Sequence, residues 1–100
     1  MTVRVLTSAL NDLAVGREFY EKQAEGIGSY FFDSVFADID SLSLFGGIHR
    51  KMFGYHRMLA RRFPYAIYYK MDSDKSVIVH RVMDCRRNPD KIRRELKAGD

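Results

Sequence analysis

RMLARRFPYAIYYKMDSDKSVIVHRVMDCRRNP, residues 57–89, decides the fold. Three β-type runs follow one another in it, at 58–63, 66–71 and 76–83. Phe63-Pro64-Tyr65 separates the first two as a tight turn, because proline fixes φ and has no N–H to give a ladder. Asp72-Ser73-Asp74-Lys75 separates the second and third, a polar connection of hairpin length. The stretch reads as a three-stranded antiparallel meander. Arg57, Arg61 and Arg62 stand at its start, and Arg81, Arg86 and Arg87 come late in it. Fixed positive charge of that density suits a polyanion or an acidic partner.

Working outward, Val3-Arg4-Val5-Leu6 is a brief strand suited to a sheet edge, with Thr7 or Ser8 placed to cap a helix. A helix follows over 9–23, with Leu10, Leu13, Arg17, Tyr20 and Ala24 on one stripe. Gly16 lies inside it, as a close-packing site or an incidental surface glycine. Gly26-Ile27-Gly28 breaks the helix with a left-handed cap, and Ser29 can cap the next one. That Gly-x-Gly follows a helix rather than a strand, so it is no phosphate loop.

The second helix spans 30–44, with Phe32, Val35, Phe36, Ile39 and Leu42 on its apolar stripe and Asp33, Asp38 and Asp40 outside it. The two helices form an antiparallel hairpin whose apolar face must cover the meander. Gly46-Gly47 ends it, and a connector carries His49, Arg50 and Lys51 to the next strand. Alternation sets Val77, Val79, Arg81 and Met83 against Ile78, His80, Val82 and Asp84. Neither face is cleanly polar, which predicts at least partial cover on both. Residues 89–99 form a short terminal helix with Ile92 and Leu96 as its apolar pair. The order β-α-α-β-β-β with a small final helix predicts an α+β domain, its helices on one face of a small antiparallel sheet.

One hundred residues make one domain, 1–100, and 46% apolar content supplies a small core. There is no run long enough to span a membrane and no signal-peptide pattern, so a cytoplasmic protein is expected. Cys85 is the only cysteine, which excludes an internal disulfide. Residues 1–48 carry three basic and seven acidic residues, a net −4. Residues 49–100 carry fourteen basic and six acidic, a net +8. A functional basic face is one reading of that asymmetry, and an ordinary solvated surface is the other.

The histidines His49, His56 and His80 lack metal-ligand spacing, and Cys85 has no CxxC partner, so neither metal nor cofactor is expected. Arginines interleaved with tyrosines are more suggestive. A ribonuclease working without metal needs a base, an acid and cations for the phosphorane charge. His80 or His56 would supply the first two and the arginines the third. The tyrosines Tyr65, Tyr68 and Tyr69 read better as core than as stacking platforms.

The string Arg61-Arg62-Phe63-Pro64-Tyr65-Ala66-Ile67-Tyr68-Tyr69, then 77–84, then Arg86-Arg87-x-Pro89, resembles toxins of the RelE/ParE superfamily. Tyr20-Glu21-x-Gln23, Gly26-Ile27-Gly28 and Phe32 resemble that family's helical hairpin. These are toxins of bacterial type II toxin–antitoxin systems, often called plasmid stabilisation proteins. The resemblance implies a helical hairpin on a small antiparallel sheet and a cognate antitoxin, forming a hetero-oligomer with the toxin. It offers two activities. RelE-like members cleave mRNA on the ribosome, and ParE-like members inhibit DNA gyrase. Ribonuclease members often place an arginine after the tyrosine that opens the middle strand, where this chain has Ala66 after Tyr65. The aromatic acid that many of them carry later is replaced by Asn88-Pro89-Asp90.

The incomplete set favours a ParE-like gyrase inhibitor that is not an enzyme. The alternatives are a metal-independent endoribonuclease using Arg57, Arg61, His80 and Arg86, and an inactive basic binding module. Target or antitoxin binding is expected at Arg57, Arg61, Arg62, Arg81, Arg86 and Arg87.

Overall fold

In the computed structural model, which describes residues 1–72 and 75–98, the chain forms β1 (Val3–Val5), α1 (Thr7–Gln23), α2 (Ile27–Asp40) and α3 (Leu42–Phe45). Then come β2 (Lys51–Met52), β3 (Tyr55–Leu59), β4 (Tyr65–Met71), β5 (Val77–Asp84) and α4 (Pro89–Ala98). The sheet order is β1-β5-β4-β3-β2. The α+β class and the helical hairpin on the sheet are as read from the sequence. The sheet is mixed rather than antiparallel, because β1 pairs with β5 in parallel, Val3 opposite Val77. A short hairpin partner, β2, occupies part of the expected connector, and the first meander strand starts earlier than read, at Tyr55. In the second meander connection, Ser73 and Asp74 lie outside the described residues, as does Gly99 at the end of the tail.

Five consecutive residues of β4, Tyr65 to Tyr69, are buried, as a strand covered on both faces requires. Ile67 and Tyr69 join Ala9 and Leu13 of α1 and Phe31, Val35 and Ile39 of α2 in one cluster. Ala66 and Tyr68 join Tyr55, Met83, Ile92 and Leu96 in a second. The helices therefore do not share one face as expected: α4 lies across the opposite side.

The alternation expected along β5 fails at one point. Tyr68 pairs with Arg81 but Tyr69 with Val79, so His80 is an extra residue in a bulge. The bulge resets the parity: Val82 joins Val77 and Val79 against the hairpin, and Met83 turns to α4.

The buried stripe of α1 is Ala9, Leu13 and Gly16, rotated from the expected one, and Leu10 is 45% exposed. Gly16 is a close-packing glycine. A Cβ there would stand 2.6 Å from the Phe31 ring. Neither expected serine cap forms. Leu6 starts α1, and the Ser8 hydroxyl donates to the His80 carbonyl at 2.6 Å. Gly26, at φ 87°, starts α2. Its donors are met from behind by Glu21, whose carboxylate accepts the N–H of Gly26 at 3.0 Å and of Gly28 at 2.9 Å. Those backbone hydrogen bonds hold the Glu21 carboxyl below its usual range.

Candidate functional site

The loop between β3 and β4 gives the arginine-rich string its shape. Phe63 drops onto the hairpin, with ring centroids 4.9 Å from Tyr20 and 5.0 Å from Phe31. Asp38, expected outside the apolar stripe, is 7% exposed, and its carboxylate accepts the Arg61 N–H at 3.0 Å. A buried carboxylate must be hydrogen-bonded, and here it anchors the loop. Arg61 and Arg62 consequently line a cleft against Tyr30, Asp33 and Asp38 of α2. The Arg62 guanidinium donates to the Tyr30 hydroxyl at 3.3 Å.

The late arginines go elsewhere, and each meets a carboxylate. Arg81 reaches Asp12 of α1 through two hydrogen bonds and lies 3.7 Å from Glu95. The hydrogen bond to Asp12 raises its pKa further. Arg87 donates to Glu95 at 2.8 Å, which keeps the Glu95 carboxyl below its usual range. Arg86 clasps Asp84 with both its backbone N–H and its guanidinium, at 2.7 to 2.9 Å. That clasp lowers the Asp84 pKa. These three arginines carry internal structure.

Arg57 has no carboxylate among the described residues. Its Nε donates to the Tyr68 hydroxyl at 3.2 Å, and an Nη lies 3.6 Å from Cys85 Sγ. The Cys85 thiol is pushed up by burial, with Arg57 acting against that. His80 packs edge-on against Tyr55 at 5.2 Å. Tyr55 in turn lies under α4, its hydroxyl donating to the Leu96 carbonyl at 3.2 Å.

The residues proposed for catalysis engage different partners in the structure. Arg61 stands over α2, Arg57 lies on the other side of the sheet, Arg86 is tied to Asp84, and His80 abuts Tyr55. Tyr65, Tyr68 and Tyr69 are at most 8% exposed, so none is a stacking platform. Burial is the main reason the Tyr65 hydroxyl is pushed up to about 12. Among the described residues no three His, Cys, Asp or Glu side chains gather as a metal would require. Of the described residues, none belongs to a helix long and apolar enough to cross a membrane.

A feature outside the predicted set is the network at the β2–β3 end. Gly47 N–H donates to the Tyr69 hydroxyl at 3.0 Å, and His49 Nδ1 meets that hydroxyl at 2.5 Å. The His56 ring stacks on Tyr69 and its Nδ1 donates to the His49 carbonyl at 2.6 Å. Burial and the neighbouring His56 hold the His49 pKa below its ordinary value. Beside it, His49, Arg50, Lys51, Met52, Arg57 and Leu59 line a cleft of about 330 Å³. The run His49-Arg50-Lys51 was the sequence signal for this cleft, and it reads as part of a basic, apolar-mixed connector.

The molecule is thus a two-sided α+β domain, a helical hairpin and a terminal helix enclosing a five-stranded mixed sheet. That fold is shared with a chain of the chromosomal ParDE toxin–antitoxin system from P. aeruginosa. The TM-score is 0.75 at 15% identity, over 84% of this chain and 95% of that one. A chain of the toxin–antitoxin complex RelBE2 from Mycobacterium tuberculosis is 26% identical over 83% of this chain and 95% of that one, with a TM-score of 0.47. No protein-family model matches the sequence, and no curated protein matches it. The helical hairpin packed on a sheet, which the RelE/ParE resemblance implies, is found, with the sheet mixed rather than antiparallel.

Proposed function

We propose that this chain is the toxin of a type II toxin–antitoxin pair, of ParE-like character, which arrests growth through DNA gyrase and is neutralised by a cognate antitoxin. The fold shared with the ParDE chain supports the class. The engagement of the Arg57, His80 and Arg86 side chains with Tyr68, Tyr55 and Asp84 supports the ParE-like side of it. General acid–base cleavage needs its groups within hydrogen-bond reach of one phosphodiester. An Arg86 committed to Asp84 and a His80 packed on Tyr55 are not poised for it. On this reading the protein acts by binding and is not an enzyme.

The test is supercoiling by purified gyrase with the purified chain added at micromolar concentration. Loss of supercoiling is expected, and unchanged supercoiling rejects gyrase as the target. Transcripts from induced cells are probed in parallel. They are expected intact, and cut transcripts that become whole in Arg86→Ala establish the ribonuclease instead.

A further inference from the structure

The short helix α3 leaves an apolar patch in water. Leu42 is its buried anchor, while Leu44 is 76% exposed, Phe45 53% and Ile48, just beyond the helix, 72%. Single apolar residues scattered over a surface need no explanation. Leu44, Phe45 and Ile48 together expose roughly 350 Å², the size of patch that marks a contact site.

The patch stands on a fixed backbone. The Gly46 N–H donates to the Leu42 carbonyl at 2.9 Å, and the Ile48 N–H to the Phe45 carbonyl at 3.3 Å. Gly46 brings the chain so close to β5 that a Cβ there would stand 2.6 Å from the Val77 side chain. Gly47 makes the next turn at φ 96° and is held by the Tyr69 hydroxyl. Apolar side chains displayed on a backbone already ordered lose little freedom on association.

Charges of both signs bound the patch. Asp40 closes α2 before it, Arg50 and Lys51 follow it, and all three are exposed. Among the described residues none of the three has an ion pair. The patch thus lies where the acidic part of the chain, residues 1–48, gives way to the basic part, residues 49–100. A surface acidic at one end and basic at the other is complementary to itself across a two-fold axis.

We propose that this patch is an isologous contact with a second copy of this chain. Leu44, Phe45 and Ile48 of one copy pack on the same residues of the other, and Asp40 of each copy faces Arg50 and Lys51 of the other. Two such patches with their charged rims bury about 1,000 Å² in all, the lower limit for a specific contact, so the dimer is reversible and depends on concentration. An anionic membrane would also receive exposed leucine and phenylalanine, but Asp40 opposes it. Nothing in the contact depends on the gyrase reading.

Sedimentation velocity of the purified full chain from about 1 to about 200 µM tests this, and the mean mass should rise towards the dimer without passing it. Leu44→Ser with Ile48→Ser, both exposed positions, should weaken association by at least about tenfold. Asp40→Lys alone should weaken it, and so should Arg50→Glu with Lys51→Glu. An equal mixture of these two charge variants should restore association, because each then meets the opposite sign at both ends of the patch.

A monomer mass throughout the range overturns the proposal. So does a mass that climbs past the dimer, association unchanged by Leu44→Ser with Ile48→Ser, or a mixture of charge variants that stays monomeric. Flotation of a monomeric chain with vesicles of phosphatidylglycerol and phosphatidylcholine, lost in the Leu44→Ser, Ile48→Ser variant, assigns the patch to a membrane surface and overturns it as well.

Discussion

Asp12 of α1 and Arg81 of β5 are joined by hydrogen bonds of 2.7 and 2.9 Å, and the same carboxylate accepts the Val82 N–H at 2.9 Å. β1 stops pairing at Val79, so β5 would otherwise present a bare edge at its bulge. Asp12 fills it. Both side chains of the pair are at most 20% exposed. Asp12→Ala strands a guanidinium and a backbone donor, and should cost about 2–4 kcal/mol. Urea unfolding checks this, and a change within about 0.5 kcal/mol contradicts it.

Gly16→Ala puts a helix-favouring residue into α1, and propensity alone predicts a gain of about 1 kcal/mol. The Phe31 ring, fully buried, stands 2.6 Å from the new Cβ. Overpacking of that kind costs about 1–3 kcal/mol, so the net effect should be destabilising. A raised thermal midpoint would show instead that the hairpin yields.

His49 makes the domain sensitive to acid. Its folded pKa is depressed by burial and by His56, so the unfolded chain takes up the proton first. Above about pH 6.5 both states are neutral and the group contributes nothing. As pH falls through that value, stability is lost until the folded pKa is reached. The charged groups that line the cleft beside it, Arg50, Lys51 and Arg57, are all cations. Asp84 and Glu95, with depressed pKa values, add their losses only at lower pH, in the carboxylate range. His49→Gln should flatten the stability curve between about pH 5 and pH 7. A slope there as steep as in wild type contradicts the assignment.

Tyr69→Phe removes the hydroxyl that accepts from Gly47 and meets His49. The ring keeps its packing, so the loss should be about 1 kcal/mol. Denaturant unfolding measures it, and faster exchange of the Gly47 amide should accompany it.

Much of the fold was legible because burial follows period. The lack of a cleanly polar face in the meander announced at least partial cover on both sides, and the glycine break at 26–28 announced the hairpin. The errors have identifiable physical causes. Nothing local marks the bulge at His80, because the opposing backbone on β4 defines it. Asp38 looks like a solvent residue until the loop that it anchors is in place. The arginines were the hardest to read. A count of positive charge cannot tell Arg81, whose partner lies 69 residues away, from Arg57, which has no carboxylate among the described residues. The sequence places the charge, and only the fold shows which of it is neutralised.

The central claim is that the chain binds a target and does not cut RNA. Pulse-labelling of DNA and protein synthesis in the first minutes after induction from a tightly controlled promoter tests it most directly. DNA synthesis should fall first while translation continues. Translation failing first, with DNA synthesis sustained, would contradict the gyrase reading and return Arg57 and Arg86 to the place of candidate catalytic residues.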